Sequence, residues 1–318
     1  MIKKEKVLIL GISGHIGYTT AIYLNNMGYK VVGTYNKNYP TRFINLKKHK
    51  IKIIKCKISE TKKLDYIISK FKINKCVYCA AVPHEIYAKK DPLNAIEANA
   101  IGIHNLIKIQ ERKNFNLILI STGSVFQEVK DSKKITEKII PTPKSIYSAT
   151  KRLGEIILEV FSPKLIKKSC ILRISWVYGP PIVGRILDVQ RGPIPNILYE
   201  IIKKKKTNFK LKSGKKFKAS FTYIDDVNKA IFTLLKKKKF KKSCYHLGTG
   251  INNSFSEIFK ILKKINKNIK FDIGDGAKPW SNDSVMRGPL VSTENDFKAK
   301  TTLESGIRKY LKWLKINA

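Results

Sequence analysis

The sequence predicts an α/β protein: a doubly wound parallel sheet with helices on both faces, followed by a smaller C-terminal domain. Three observations carry this. Short β-branched runs alternate with helix-length segments through the first half of the chain; the runs are apolar on both faces, as strands covered on two sides must be; and a glycine-rich turn stands directly after the first run. With 318 residues, 43% of them hydrophobic, the chain is long enough for one large or two smaller domains around a substantial core.

Lys6–Leu10 (KVLIL) reads as the first strand, and a Gly-rich turn leads from it into an apolar helix through Ile22–Leu24. Lys30–Gly33, Ile51–Cys56, Cys76–Cys79, Asn116–Ile120 and Cys170–Ile174 read as the next strands, with helices between them. After Gly179-Pro180-Pro181 the pattern loosens into loops, Lys-rich helices and short strands, which divides the chain into a first domain over residues 1–180 and a smaller second domain over 181–318. Tyr223–Val227 and His246–Gly250 are expected to return to the first domain, and the absence of a Ser/Gly linker predicts direct packing of the two. Leu303, Ile307, Leu311 and Leu314 recur at near-helical spacing and predict a final amphipathic helix.

Lys+Arg 64 against Asp+Glu 23 leaves a formal charge of +41, yet only eight of the basic residues are arginine. Arginine forks read bases, whereas lysine runs such as Lys203–Lys206 and Lys236–Lys239 read as solvated faces. A compositional preference for lysine is therefore favoured over a specific nucleic-acid partner or a membrane surface, although so positive a field attracts anionic small molecules. No apolar run reaches the roughly 18 residues of a spanning helix. The basic start at Met1–Lys6 is followed by only four apolar residues before Gly11, too few for an export signal. Five scattered cysteines point to a reducing cytoplasm; Cys76-x-x-Cys79 reads as core packing, and the dispersed histidines suggest no metal site.

Gly11, Gly14 and Gly17 in GISGHIG follow the first strand and open a helix. A pyrophosphate needs this: glycines let the backbone turn tightly and approach closely, and the helix offers its amides and positive end. Such a Rossmann-type element binds NAD or NADP. The end of the second strand, Thr34-Tyr35-Asn36-Lys37, lacks the acid that would hold a ribose diol, and Arg42 follows, which leans toward the 2′-phosphorylated cofactor.

Tyr147 and Lys151 stand four apart at the start of a helix and share one face, with Leu153, Ile156, Ile157 and Val160 expected to anchor that helix in the core. An ammonium beside a phenol lowers its pKa from about 10 toward the range of an acid/base catalyst. Ser121–Phe126 (STGSVF) follows the fifth strand at the carboxyl edge of the sheet, where open parallel sheets bind ligands.

These elements, with CAAVP (79–83), DPLNAIEANAIGIHNL (91–106), ILRISWVYGP (171–180), FTYIDDV (221–227) and YHLGTG (245–250), resemble the extended short-chain dehydrogenases/reductases, especially their nucleotide-sugar epimerase, dehydratase and reductase group. STGSVF with SWVYG is most similar to 4-keto-sugar reductases of the dTDP-4-dehydrorhamnose reductase type. The resemblance implies Tyr147 as general acid/base, Lys151 on the nicotinamide ribose and Thr122 on the reacting oxygen. It implies cofactor contacts at Gly11, Ser13, Gly14, His15, Ile16, Gly17, Asn36, Lys37, Ile58, Ala80, Ala81, Asn99 and Ile174. Substrate contacts fall to His84, Thr122, Arg191 and Arg287, the ligand being a nucleotide-diphosphate sugar; a homodimer is left open. Cys56-Lys57-Ile58 lacks the family's adenine-binding aspartate, Gly123 and Ser124 replace the dehydratases' Asp-Glu pair, and Lys218-Ala219-Ser220 stands where an arginine is expected. Epimerisation or 4-keto-sugar reduction is thus favoured over dehydration. A non-catalytic dinucleotide or anion sensor is the alternative, and the complete Thr122/Tyr147/Lys151 set weighs against it.

Overall fold

The computed structural model describes residues 5–36, 40–129, 133–161, 165, 167–181, 192–276 and 288–317. The chain forms two compact units: residues 1–122, 146–173 and 227–245 make the first, and 123–145, 174–226 and 246–318 the second.

In the first unit β1 (Lys6–Leu10), α1 (His15–Asn26), β2 (Lys30–Tyr35), α2 (Pro40–Lys48), β3 (Lys52–Lys55), α3 (Thr61–Lys70) and β4 (Lys75–Tyr78) alternate. There follow α4 (Glu85–Lys90), α5 (Pro92–Ile96), a π-helical turn at Glu97–Ile101, α6 (Gly102–Lys113), β5 (Asn116–Thr122), α7 (Ile146–Phe161) and β6 (Ser169–Ile174). The parallel sheet has seven strands in the order β11-β6-β5-β4-β1-β2-β3, closed at one edge by β11 (Cys244–Leu247). Because β1 lies between β2 and β4, the sheet grows in opposite directions from that point, which opens a crevice at the carboxyl ends of its strands. Leu8, Leu10, Leu117 and Leu119 of the strands meet Leu64 and Ile67 of α3 and Leu106 and Ile107 of α6 in one buried cluster.

Each strand predicted in the first half forms, β1 with the expected ends and the others with ends shifted by one or two residues. β5 continues to Thr122, so Ser121 and Thr122 are the last residues of a strand rather than the start of a turn. Cys79 lies just past β4 and is half-buried, whereas Cys76 is inside the strand and fully covered.

Helix α7 differs from expectation in its facing. Leu153, Ile156 and Val160 are 41%, 40% and 62% exposed, Ile157 alone of the four expected anchors packs against the core cluster, and the buried positions are Ser148, Thr150, Lys151, Gly154, Glu155 and Leu158. The face turned to the sheet is largely polar because it carries the hydrogen bonds described below, and these outrank the apolar stripe. Gly154 is the point of closest approach: a Cβ there would stand 2.1 Å from the Asn99 carbonyl oxygen in the π turn.

The second unit holds β7 (Trp176–Tyr178), α8 (Pro193–Lys203), β8 (Asn208–Leu211), β9 (Lys218–Ala219), β10 (Phe221–Tyr223), β12 (Asn253–Ser254), α10 (Phe255–Ile265), β13 (Lys270–Ile273) and α11 (Leu303–Asn317). α9 (Ile224–Lys236) starts there and continues into the first unit. β7 pairs with β10 and β8 with β13 in parallel, and β9 with β12 antiparallel. Phe259 packs against Phe209 and stacks on Phe271 to fill the space beneath α10. Ile307, Leu311 and Leu314 of α11 are buried, as their spacing predicts. Among the described residues no helix is long and apolar enough to cross a membrane.

Gly154→Ala is expected to destabilise the protein by about 1–3 kcal/mol, the range for overpacking a rigid contact. Urea denaturation reads this as a lower midpoint; an unchanged midpoint would mean that α7 shifts from the π turn at no cost.

Candidate active site

The loop between β1 and α1 is tied to β2: the amides of Gly11 and Ile12 both donate to the Thr34 carbonyl, at 3.0 and 2.9 Å. Gly11 has φ +81°, and a Cβ on it would lie 2.7 Å from Ala80 Cα; one on Gly17 would lie 2.3 Å from the Gly11 carbonyl oxygen. Glycine is therefore required at both positions by close approach of main chain to main chain. Helix α1 begins at His15, and Tyr18 N–H is bonded to Gly14 O at 3.0 Å. The result is a cradle of bare backbone opening on a helix start, which fits a dinucleotide pyrophosphate. Ser13, Gly14, His15, Ile16 and Gly17 all lie on it.

The Arg42 guanidinium donates to the Ser13 carbonyl at 2.5 Å and lies over the Tyr18 ring, which holds a cation beside this loop. Asn36 follows the end of β2, Ile58 follows β3, Ala80 and Ala81 follow β4, and Ile174 ends β6. The strand directions thus bring these positions to one edge of the sheet. Asn99 sits in the π turn, fully buried. Its side chain accepts from Val82 N–H at 3.0 Å, donates back to Val82 O at 3.3 Å, and donates to Thr150 Oγ1 of α7 at 3.0 Å. Asn99 so clamps the stretch that follows Ala80 and Ala81 and joins it to the helix of Tyr147.

Thr122, Tyr147 and Lys151 come together. Thr122 and Tyr147 share a side-chain hydrogen bond, and the Lys151 ammonium donates to the Ile120 carbonyl of β5 at 2.7 Å. The Tyr147 phenol does not show the expected depression. Burial pushes it up to about 12, and the Thr122 hydrogen bond pulls only partly the other way. Burial lowers Lys151 to about 8, opposed by the Glu155 carboxylate. Both Cys76 and Cys79 are raised by burial, the latter to about 12, so neither is a ready thiolate.

His84 occupies the residue before α4 with φ +62° and ψ 147°, a conformation rare outside glycine and of the kind that gathers at binding sites. Its neighbour Glu85 is only 6% exposed. Its carboxylate accepts from the Tyr147 amide at 2.8 Å and the Ile146 amide at 3.3 Å, capping the first turn of α7. Glu85 has no sequence signal beyond being an acid in a chain of lysines, because a cap supplied by another helix leaves no local spacing. Glu155 is different: it continues the Tyr147, Lys151 interval by another four residues. Lys37, Arg191 and Arg287 lie outside the described residues.

Glu85→Ala is expected to lower the unfolding free energy by about 1–2 kcal/mol through the lost cap, and Glu85→Gln, which still offers an amide oxygen, by less than half as much. Chemical denaturation of the two variants decides: equal losses would mean that charge, not an acceptor atom, holds the start of α7.

The chain resembles known proteins along its whole length. Protein CapI of Staphylococcus aureus is 27% identical over 97% of this chain and 98% of its own. The UDP-glucuronate 4-epimerase of Thermodesulfobacterium geofontis is 25% identical over 98% of this chain and 96% of its own. The crystal structure of UDP-glucose 4-epimerase from Thermotoga maritima with UDP-glucose matches the fold with a TM-score of 0.82, at 23% identity, covering 98% of this chain and 99% of that one. The model of the NAD dependent epimerase/dehydratase family matches residues 7–248. With the glycine cradle, the Thr122/Tyr147/Lys151 cluster and a family match over most of its length, the chain belongs to the NAD dependent epimerase/dehydratase family, enzymes of the extended short-chain dehydrogenase/reductase type.

Proposed function

We propose that this protein is a 4-epimerase of a nucleotide-diphosphate sugar that keeps its dinucleotide through the cycle. The observation that carries the reading is the half-buried Thr122–Tyr147 hydrogen bond with Lys151 four residues on, at the edge of the sheet that bears the glycine cradle. Gly11, Ser13, Gly14, His15, Ile16, Gly17, Ala80 and Ala81 would hold the cofactor, with Asn99 fixing the loop after β4 and Lys151 on the ribose. A bound nicotinamide would supply the hydride acceptor and donor that inversion at the sugar carbon needs. As the phenolate, Tyr147 would receive the proton of the sugar hydroxyl as the carbon is oxidised and give it back on reduction; in the site without cofactor the phenol keeps its own proton, its pKa pushed up to about 12. Thr122 donates to the same oxygen and holds it against the phenol. His84 is offered to the sugar or its phosphates from a strained backbone, and Arg191 and Arg287 are proposed to grip the diphosphate.

The UDP-glucuronate 4-epimerase of Thermodesulfobacterium geofontis, a relative of matching length, supports the choice of 4-epimerisation. Gly123 and Ser124, which carry neither an acid nor a base, favour it over water elimination. A second reading is a 4-keto-sugar reductase that consumes NADPH. It is favoured by Arg42 held beside the cradle and by Asn36 where a carboxylate would select the unphosphorylated ribose.

A panel of UDP- and dTDP-sugars, followed by sugar analysis and by reduced-cofactor absorbance, separates the two. The epimerase yields a new 4-epimer with no net change in reduced cofactor; the reductase loses one reduced cofactor for each sugar turned over. No change in any sugar would overturn both.

Tyr147→Phe is expected to reduce turnover at least about 100-fold with little loss of cofactor affinity. Lys151→Ala should reduce both, and Thr122→Ala should cost about 5- to 150-fold in turnover, the value of one lost hydrogen bond. Turnover of Tyr147→Phe within about twofold of wild type, with an intact circular dichroism spectrum, would leave Tyr147 and Lys151 as only a helix pair.

A further inference from the structure

Glu155 is an acid buried to 0% exposure in the first unit, on α7, one turn beyond Lys151. Its carboxylate is held on every side. Arg173 of β6 grips it as a fork, Nε to Oε1 at 3.0 Å and Nη2 to Oε2 at 2.8 Å. Arg152 donates to Oε2 at 3.1 Å and also reaches Glu159, and the Ser121 hydroxyl donates to Oε1 at 2.5 Å. Ser121 is the residue before Thr122, and Ile120, before that, accepts from the Lys151 ammonium. Two consecutive residues of β5 are therefore bound by two side chains one turn apart on α7, and the third in the row is Thr122.

The site leaves few other sources for a charge that answers Lys151. The groups that face this ammonium are Glu155 of its own helix, the Cys79 thiol past β4 and the Ile120 carbonyl of β5, with Arg152 and Arg173 behind Glu155. Cys79 is a neutral thiol at neutral pH because burial raises it to about 12. Burial also works to raise the Glu155 carboxyl, but Arg173, Ser121 and Arg152 outweigh it, so the group is ionised.

We propose that Glu155 is a positioning residue for the reaction: its carboxylate, anchored by Arg173, tethers the strand end that carries Thr122 to the helix that carries Tyr147, and supplies the anion that keeps Lys151 an ammonium. The role in turnover rests on the reading given under Proposed function, and the affinity readout of the role toward Lys151 rests on its placing of that ammonium on the cofactor ribose. The sign of the pH effect follows from a base whose pKa is lowered by burial. Lys151 is charged below about 8 and loses its proton as pH rises through that value. Removing the neighbouring anion lowers this value further, and removing a neighbouring cation raises it.

The experiment measures NADH and NADPH affinity by fluorescence and kcat and KM on nucleotide sugars, from pH 5.5 to 9.5, for wild type, Glu155→Gln, Arg152→Gln and Ser121→Ala. In Glu155→Gln the alkaline loss of cofactor affinity should move down by at least about one pH unit, with affinity recovering toward wild type at the acid end. Arg152→Gln keeps the buried Glu155–Arg173 pair and should move the same limb up by about half a unit. Ser121→Ala keeps every charge and should lower kcat about 5- to 20-fold with KM and the alkaline limb unmoved. A variant that only loosened the fold would weaken binding by one factor at all pH values. If the limb of Glu155→Gln is unmoved, or that of Arg152→Gln moves down or stays, the role toward Lys151 is overturned; the Arg152→Gln arm decides it alone if Glu155→Gln does not fold. Unchanged kcat in Ser121→Ala overturns the tether. A wild type that binds dinucleotide but converts no sugar refutes the proposed function and the tether's role in turnover, while the affinity profiles still report on Glu155 and Lys151.

Discussion

The attachment of helix α7 to strand β5 governs the rest of this site. Lys151 reaches the Ile120 carbonyl and Glu155 receives the Ser121 hydroxyl, so the helix sets its register on the strand by two polar contacts one turn apart. A buried carboxylate would be costly alone, and the forked Arg173 from the next strand and Arg152 from the helix make it tolerable. Breaking one partner would strand a charge in the interior, which is why such a network holds one geometry rather than several. Tyr147 and Thr122 meet because the elements that carry them are fixed at these neighbouring points.

That attachment also explains the unusual facing of α7. A helix beside a sheet ordinarily turns its apolar stripe inward. Here the inward side carries Ser148, Thr150, Lys151 and Glu155, each within hydrogen-bonding country, and Gly154 lets the backbone close on the π turn of Asn99. Leu153, Ile156 and Val160 are left outside. Asn99 serves the same end from the other direction, since a single amide ties Val82 to Thr150. The extra residue of a π turn is a device for placing a side chain where an α-helix would not.

Lysine supplies nearly all of the +41, whereas the buried ion pairs of the site use Arg173 and Arg152, as planar forks suit a carboxylate better than point charges do. At the cradle it is again an arginine, Arg42, that packs on the loop through a backbone carbonyl and an aromatic face. A cofactor with three or more negative charges would meet a favourable field before touching any of these residues.

Much was legible in the sequence because its signals are local. GISGHIG after KVLIL places a glycine turn between a strand and a helix, and a close backbone approach tolerates no other residue at Gly11 and Gly17. Alternating buried runs predicted the parallel sheet, and its topology alone carries Thr122, Ala80 and Asn36 to one edge. The i, i+4 interval put Tyr147 and Lys151 on one face. What the sequence could not decide is which face of α7 is inside, because apolar periodicity measures transfer from water and not the competing worth of a hydrogen-bonded network. Nor could it pair Glu85 with the amides of Ile146 and Tyr147, or Arg173 with Glu155, across 62 and 18 residues of chain. Spacing along a sequence reports neighbours on one element. Contacts between elements, and the pKa values that follow from their burial, exist only once the sheet has brought them together.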